Sequence, residues 1–331
     1  MPRAYSLVTG GAGFLGSHIC DALVHKRERV CVIDNLSTGN IDNIKHLMDN
    51  PLFRFVNKSI VEDSTIEGLI KECDIIYHFA ATVGVKLVYE QPLTTILNNI
   101  RSSEFVLEMA SQYGKRTLIA SSSEVYGNRR GSVRRKLRED DDIHIPHGKR
   151  WCYATTKALS EHLAKAYHAE NNAAIVICRL FNIVGPRQTG TFGMVLPRFV
   201  EWAVNGSPIK VYGNGKQRRC FCSVRDAVDA IVKLADLQSA SGHTFNIGSD
   251  KSISITQLAM KVKRITNSAS DIVYIPYQET YGPDATDVLD RVPDISKIRK
   301  FIDFEPSQDI DSIIRDITDH YLAHNARKDR R

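Results

Sequence analysis

Short apolar runs rich in β-branched residues alternate with amphipathic stretches along the first half of the chain. The runs cover residues 6–9, 30–33, 52–56, 75–79, 117–121 and 174–180. Near-continuous apolar runs of this length are typical of strands that are buried on both faces of a sheet. Because helical stretches separate these strands, the pattern predicts an α/β fold with a doubly wound parallel sheet.

Three of the amphipathic stretches predict helices, over residues 16–26, 92–113 and 153–171. After about residue 180 glycine and proline become more frequent, and the hydrophobic periodicity becomes irregular. We therefore predict a first domain over 1–180 and a smaller, interleaved lobe mainly over 181–325. Part of this lobe is expected to cross back to the sheet. The basic end, 326–331, is predicted to be a frayed tail.

The bulk composition excludes several classes of protein. The chain has 331 residues, of which 43% are hydrophobic and 25% are charged, as in ordinary globular proteins. No apolar run reaches the roughly 18 residues of a membrane span, and no signal-peptide pattern precedes the first strand. The seven cysteines are scattered and lack paired C-x-x-C spacing. This usage predicts a reduced, cytoplasmic protein without a zinc or other metal site. The lack of a long apolar run predicts that the protein has no membrane partner.

The net charge of +6 is concentrated in one basic segment, residues 129–138, which is followed directly by acidic residues 139–142. Such a run is usually a solvated loop that neutralises itself, and we favour that interpretation. The alternative is a flap over a phosphorylated substrate. The adjacent acidic run and the lack of interleaved aromatic residues argue against a nucleic-acid partner.

The first strand leads into Gly10-Gly11-Ala12-Gly13-Phe14-Leu15-Gly16 and then into a predicted helix. Glycines at this spacing permit a tight turn, close approach of the backbone to a pyrophosphate, and close packing of helix on strand. Free N–H groups at the start of the helix can bind the phosphates. Asp34 ends the next strand, where a carboxylate accepts hydrogen bonds from ribose hydroxyls and repels a 2′-phosphate. The motif predicts that 1–180 is a Rossmann-type domain that binds NAD rather than NADP.

A second motif places Tyr153 and Lys157 four residues apart, on one face of a predicted helix. We expect the lysine ammonium and a positively charged nicotinamide to lower the tyrosine pKa from its usual value of about 10, so that the phenolate acts as a base. The cluster Ser121-Ser122-Ser123-Glu124 follows a buried strand, where side chains face the ligand crevice of a parallel sheet. A carboxylate beside a nicotinamide is costly unless it has a role. The alternative is that Glu124 points away and pairs elsewhere.

With these motifs the chain resembles the extended short-chain dehydrogenases/reductases, in the nucleotide-sugar epimerase/dehydratase/decarboxylase family. Further family-like stretches are Arg179-Leu180-Phe181-Asn182, Gly185-Pro186-Arg187-Gln188, Val211-Tyr212-Gly213-Asn214-Gly215, Phe245-Asn246-Ile247-Gly248 and Arg291-Val292-Pro293-Asp294. The resemblance extends over nearly the whole chain. It implies NAD as cofactor and a nucleotide-diphosphate sugar, UDP-linked in our interpretation, as substrate.

The resemblance also implies a first step, oxidation of the sugar at C4. In that step Tyr153 takes the proton of the 4-hydroxyl while hydride passes to NAD, Lys157 tunes the tyrosine and binds the nicotinamide ribose, and Ser122 positions the hydroxyl. The implied cofactor contacts are Gly10, Gly13, Phe14, Leu15, Gly16, Asp34, Asn35, Ser37, Ala80, Asn99, Tyr153 and Lys157. The implied substrate contacts are Asn182, Arg187, Val211, Tyr212, Arg219 and Arg291.

The step after oxidation distinguishes the subfamilies. The dehydratases of the family typically carry an Asp-Glu pair at the positions where this chain has Ser123-Glu124. The resemblance to a 4,6-dehydratase is therefore disfavoured. This chain resembles the UDP-glucuronate decarboxylases, which have Ser-Glu at these positions. It also shares with them the pattern that implies that Arg219 lies near the sugar acid. Arg187 is a second candidate for binding the C6 carboxylate. The residues favour a UDP-glucuronate decarboxylase, with a 4-epimerase of UDP-glucose or UDP-glucuronate as the alternative. A catalytically silent dinucleotide-binding protein is the non-enzyme alternative.

Two departures from the family pattern affect the binding sites. Ser59-Ile60 stand where relatives carry an acidic residue near the adenine, and Leu289-Asp290 precede a single Arg291 where relatives often have two arginines. Adenine and diphosphate contacts are therefore expected to differ. The resemblance further implies a homodimer, in which the helices over 92–113 and 153–171 of each subunit form a four-helix bundle.

Overall fold

The computed structural model describes residues 4–61, 65–128, 135–191, 193–281, 288 and 290–328. The strands are β1 (Ser6–Thr9), β2 (Val30–Ile33), β3 (Phe53–Val56), β4 (Ile75–His78), β5 (Arg116–Ser122), β6 (Ile175–Leu180), β7 (Ile183–Val184), β8 (Ile209–Tyr212), β9 (Arg218–Cys220), β10 (Cys222–Ser223), β11 (Thr244–Ile247), β12 (Ser252–Ser254), β13 (Ile272–Ile275) and β14 (Asp290–Arg291). The helices are α1 (Phe14–His25), α2 (Thr65–Glu72), α3 (Val85–Glu90), α4 (Pro92–Gln112), α5 (Cys152–Asn171), α6 (Val195–Val204), α7 (Val224–Asp236), α8 (Ile255–Ile265), α9 (Tyr277–Tyr281), α10 (Ser296–Ile302) and α11 (Ile310–Lys328). Residues 129–134 of the charged segment, Leu289, and 329–331 of the predicted tail lie outside the described residues.

The central sheet has seven strands in the order β11-β6-β5-β4-β1-β2-β3, and every neighbouring pair is parallel. The six predicted strands are confirmed with each end within one residue. The chain runs outward from β1 to β3, then returns to β4 and runs outward in the opposite direction. The strand order therefore reverses between β1 and β4, and a ligand crevice forms at such a switch point.

Helices cover both faces of the sheet, which explains the continuous apolar strands. On one face, α1 and α7 bury residues such as Ile19, Leu23 and Ile231 against the strands. On the other face, α2 and α4 pack through Ile66, Val106 and neighbouring side chains. The predicted Rossmann-type α/β fold is confirmed, and the three predicted helices begin and end within two residues of α1, α4 and α5.

A second core lies in the later half of the chain. Helices α6, α8 and α11 pack with β8 around Leu196, Phe199, Leu258 and Ile314. Between these elements, α7 and β11 return to the central sheet, as expected for an interleaved lobe. Residues 326–328 were predicted to be frayed but belong to α11, a helix that packs through its earlier turns. In the described ranges no helix is long and apolar enough to cross a membrane.

Candidate active site

Two adjoining cavities open at the carboxyl ends of the central strands. The first has a volume of about 440 Å³ and is lined by every residue predicted to contact the cofactor, from Gly10 to Lys157. The second has a volume of about 390 Å³ and is lined by Ser122, Ser123, Glu124, Asn182, Tyr212, Arg219 and Arg291. Tyr153 lines both cavities, so it stands where a cofactor and a substrate would meet.

The glycine-rich turn after β1 has the shape that a pyrophosphate requires. Gly10 has a φ of +73°, and a Cβ at Gly16 would come within 2.2 Å of the Gly10 carbonyl oxygen. Side chains larger than hydrogen would therefore fill the turn or push α1 away from it. Because α1 begins at Phe14, its first N–H groups face the first cavity. The residues present thus fit a dinucleotide.

Asp34 comes directly after β2 and its carboxylate is held in place by the backbone. It accepts hydrogen bonds from Ala12 N at 3.0 Å and from Leu36 N at 2.8 Å. Burial raises the Asp34 pKa, and these backbone amides oppose the rise. Since the side chain lines the first cavity, the position fits recognition of a ribose.

Tyr153, Ser122 and Lys157 converge where the two cavities join. Ser122 ends β5 and hydrogen-bonds to Tyr153, while Lys157 Nζ lies 5.9 Å from the centroid of the Tyr153 ring. Burial and the Glu124 charge raise the Tyr153 pKa, and the Ser122 hydrogen bond opposes them. In the protein alone, desolvation of the phenolate dominates. The expected lowering of the pKa requires a bound, positively charged nicotinamide, so it stays a prediction. Burial lowers the Lys157 pKa to about 8, partly offset by Glu161.

Glu124 lies in the short 3-10 helix after β5 and is paired with arginines from two other segments. Its Oε1 is 3.3 Å from Arg291 Nη1 and 3.8 Å from Arg150 Nη2. Burial would raise the Glu124 pKa, but Arg291, Arg150 and Arg219 outweigh burial and lower it. Glu124 is therefore ionised at neutral pH, inside a cluster with more positive than negative charge.

Two predicted substrate contacts lie elsewhere. The Val211 side chain is fully buried in the second core, because side chains alternate along β8 and Tyr212 takes the cavity side. Arg187 lines the first cavity rather than the second, and its Nη2 binds Asp21 at 2.8 Å. Arg187 is thus a wall residue of the first cavity, because the chain after β7 carries it there, and the structure does not bring it into the Glu124 cluster. Its contact with a C6 carboxylate stays a prediction.

Sequence reasoning missed Arg150, three residues before Tyr153. Its guanidinium stacks on Trp151, with 5.1 Å between the guanidinium carbon and the ring centroid, and the side chain lines the second cavity beside Glu124. Arg150 lies in the 3-10 turn Lys149–Trp151 that leads directly into α5, and its closeness in sequence to Tyr153 could have indicated it.

An aromatic and cationic group in the wall of the second cavity was also missed. Arg198 donates to the Tyr212 hydroxyl at 2.8 Å, and its guanidinium carbon lies 4.8 Å from the Trp202 ring centroid. Lys210 lies 5.9 Å from the same centroid. The i,i+4 pairing of Arg198 and Trp202 on α6 was a usable signal. This group can stack on a planar ring and attract a negative group.

Comparison with known proteins assigns the family. The model of the NAD dependent epimerase/dehydratase family matches residues 6–248. A UDP-N-acetyl-alpha-D-glucosaminuronate decarboxylase of Bacillus cytotoxicus is 36% identical over 304 residues, covering 91% of this chain and 92% of the relative. UDP-glucuronic acid decarboxylase 1 of Arabidopsis thaliana is 34% identical, covering 92% of this chain and 66% of the relative.

Solved structures agree with this assignment. The UDP-glucuronic acid 4-epimerase from Bacillus cereus, in complex with UDP-glucuronic acid and NAD, superimposes with a TM-score of 0.86 at 26% identity, covering 97% of this chain and 99% of that one. The chain belongs to the NAD-dependent epimerase/dehydratase family. The predicted cofactor, NAD, and the prediction of an NAD-dependent enzyme are thereby confirmed.

Proposed function

We propose that this enzyme decarboxylates a UDP-linked hexuronic acid after oxidising it at C4. The observation that carries the proposal is the Glu124 cluster, in which Arg291, Arg150 and Arg219 surround a single carboxylate beside Tyr153. Excess arginine at a sugar site favours a substrate that brings its own carboxylate, because a planar guanidinium binds carboxylates through two parallel hydrogen bonds. The curated relatives with decarboxylase names support the same reaction.

In the first step Tyr153 accepts the proton of the sugar 4-hydroxyl, which Ser122 orients through its own hydrogen bond to the tyrosine. Bound NAD supplies the hydride acceptor. The glycine turn and the start of α1 hold its pyrophosphate, Asp34 its adenosine ribose, and Lys157 its nicotinamide ribose. Arg187, on the wall of the first cavity, is suited to the pyrophosphate.

In the second step the new 4-keto group lies β to the C6 carboxylate, so carbon dioxide can leave while its bonding electrons move toward the C4 oxygen. The resulting enolate takes a proton at C5, and one proton is consumed overall. Arginines near the C6 carboxylate hold it out of the plane of the sugar ring. Exclusion of water from the cavity protects the enolate intermediate. Reduction at C4 then gives a UDP-pentose.

The nucleotide is bound at the other end of the second cavity in this proposal. Trp202, Tyr212 and Arg198 offer rings and a cation for the uracil and a phosphate. Asn182, which donates to the Cys220 carbonyl oxygen at 2.9 Å, also lines this cavity and is assigned to the diphosphate in this proposal. The lobe over 181–325 thus binds the substrate, and the domain over 1–180 binds NAD.

The test is NMR of the purified enzyme with NAD and UDP-glucuronate, with UDP-N-acetylglucosaminuronate in a parallel sample. Growth of a UDP-pentose signal with release of carbon dioxide supports the proposal, and the faster substrate identifies the substituent at C2. Growth of a C4 epimer without carbon dioxide would make the enzyme a 4-epimerase, the alternative to which the Bacillus cereus structure is relevant. Turnover of neutral UDP-sugars alone would contradict the proposal.

We further propose a homodimer through α4 and α5. Leu93 and Leu97 on α4 are 67% and 36% exposed, and Leu159 on α5 is 40% exposed. The two helices pack side by side on one face of the subunit. Pairing with the same helices of a second subunit would bury these leucines in a four-helix bundle.

All seven cysteines are free, which supports a cytoplasmic location.

A further inference from the structure

The acidic part of the charged segment is only partly a solvated loop. Asp140 is exposed and pairs with Arg138 at 3.2 Å, as expected for such a run. The neighbouring Glu139 instead turns inward, and its Oε1 accepts the backbone N–H of Asn246 at 2.8 Å. Burial raises the Glu139 pKa, with backbone hydrogen bonds in opposition. A partly buried carboxylate that satisfies a strand N–H has a structural task.

Asn246, in the edge strand β11, is a fully buried junction between three segments. Its Nδ2 donates to the Leu137 carbonyl oxygen at 2.9 Å and to the Asp294 carbonyl oxygen at 3.2 Å. Its Oδ1 accepts from the Tyr126 hydroxyl at 2.7 Å. Every polar atom of the side chain is therefore used, and the amide can take only one orientation.

The segment that follows β14 is attached to this junction. Leu137 N donates to the Val292 carbonyl oxygen at 2.8 Å, and Asp294 N donates to the Leu137 carbonyl oxygen at 2.7 Å. On its other side, β14 pairs with β9, so that Arg291 stands opposite Arg219. The strand that carries Arg291 is thus fixed between β9 and residue 137.

A second branch of the same network reaches the other side of the active site. Arg179 donates from Nη1 to the Glu139 carbonyl oxygen at 3.3 Å and pairs through Nη2 with Glu161 at 2.7 Å. Glu161 accepts from Ser121 at 2.5 Å and lies one turn after Lys157 on α5. The Glu139 carboxylate is therefore linked to the arginine side of the site through Asn246. Its backbone carbonyl is linked to the lysine side through Arg179 and Glu161, and a side-chain substitution leaves that second link in place.

We propose that Glu139 is a positioning residue, which sets the distance of Arg291 from Glu124 by fixing Asn246 and residue 137. The inference rests on the proposed decarboxylation. Loss of the Glu139 acceptor would free the Asn246 N–H, loosen residues 290–294 and let Arg291 move from the carboxylate cluster. The decarboxylation step then suffers, while C4 oxidation, which depends on Tyr153 and Ser122, is spared.

The test uses two substitutions that separate reach from charge. Glu139→Gln keeps an oxygen at the same reach and removes the charge, whereas Glu139→Asp keeps the charge and is one methylene too short. Asp140→Asn is the matched control on the exposed neighbour. NADH formation reports C4 oxidation of UDP-glucuronate, and UDP-pentose formation reports decarboxylation. We expect Glu139→Asp to slow decarboxylation about tenfold, equivalent to about 1.4 kcal/mol, with oxidation nearly unchanged and the other two variants close to wild type.

Hydrogen exchange of the peptide over residues 290–296 gives a readout that does not depend on substrate. Faster exchange there in Glu139→Asp, and wild-type protection in Glu139→Gln and Asp140→Asn, supports the inference. The inference would be overturned by a folded Glu139→Asp variant in which the exchange rate and the ratio of decarboxylation to C4 oxidation are both unchanged. An equal loss of C4 oxidation and decarboxylation would overturn it as well. If wild-type enzyme decarboxylates neither UDP-glucuronate nor UDP-N-acetylglucosaminuronate, the proposed function fails by itself, and the exchange measurement alone decides the inference.

Discussion

Arg291 Nη1 and Glu124 Oε1 lie 3.3 Å apart, although 167 residues separate them in the chain. Arg291 is 5% exposed, so the ion pair is screened little by water. The pairing lowers the Glu124 pKa against the effect of burial. A carboxylate substrate entering this cavity would meet both partners at once, and the two carboxylates would share the same arginines.

For Glu124→Gln we expect a large loss of decarboxylation and a small loss of C4 oxidation. The amide keeps the shape of the side chain but no longer balances Arg291 and Arg150, nor can it move a proton. Hydrogen bonds to charged groups contribute about 1.5–3 kcal/mol, so a loss of roughly ten- to a hundredfold is expected. Single-turnover measurement of NADH and carbon dioxide checks this. Equal loss of both steps would mean that Glu124 has only a structural role.

Adjacent arginines on β9 provide a comparison within one strand. Arg219 lines the second cavity, whereas Arg218 points to the other face and binds Ser252 at 2.8–3.0 Å. We expect Arg219→Ala to raise KM for UDP-glucuronate and lower kcat by at least about tenfold, and Arg218→Ala to leave both nearly unchanged. Steady-state kinetics on both variants decides; similar losses in the two would remove Arg219 from the carboxylate site.

Lys157 is expected to reduce the stability of the fold. Its pKa is lowered by burial from 10.5 to about 8. Holding it charged at pH 7 therefore costs on the order of 3 kcal/mol. We predict that Lys157→Met abolishes turnover but raises the free energy of unfolding at pH 7 by that amount. Urea denaturation of both proteins measures the difference.

The pH dependence of that difference follows from the direction of the Lys157 shift. Between pH 8 and pH 10.5 the unfolded chain holds the lysine proton and the folded protein has lost it. Wild-type stability therefore gains relative to Lys157→Met as pH rises through this window. The advantage of the variant should narrow above pH 8 and vanish above pH 10.5. An advantage that stays constant over this range would contradict the lowered pKa.

Tyr153→Phe should leave NAD binding intact and remove turnover. The hydroxyl is the only atom lost, and the ring still separates the two cavities. NAD affinity by fluorescence and product formation by NMR give the two readouts. A variant with full activity would exclude Tyr153 as the base, and weakened NAD binding would indicate that its hydroxyl holds the cofactor instead.

Light scattering of the wild-type protein should give the mass of a dimer. Leu97→Glu combined with Leu159→Glu places charges on the proposed interface, and we expect a monomer because burial of unpaired carboxylates is costly. Leu322→Glu, on a residue of α11 that is 49% exposed, is the matched control and should remain dimeric. A monomeric wild-type protein would end the four-helix-bundle proposal.

The sequence was sufficient for the parts of the site that depend on local rules. Glycine spacing, the acid after β2 and the Tyr153–Lys157 spacing predict residues that line one cavity, because strands that end at one sheet edge bring their next residues together. The Val211 side chain lies in the second core and not in the cavity because side chains alternate along a strand. The sequence of one strand does not show which of its two faces points to the cavity. Arg150 was missed because its importance arises from Glu124, which only the tertiary fold brings near. The Tyr153 pKa depends on desolvation, a property of the whole cavity.

Arg219 and Arg291 face each other in the parallel register of β9 and β14, and this has a consequence for how the cavity could change in evolution. A slip of β14 by one residue would present Asp290 or Val292 where Arg291 now stands. The carboxylate cluster would then gain a negative charge or lose a positive one, with no substitution at any site residue. If the proposed function holds, alignment at this strand pair is itself a determinant of which sugars the enzyme accepts, and insertions or deletions in the chain before β14 are a route to new specificity.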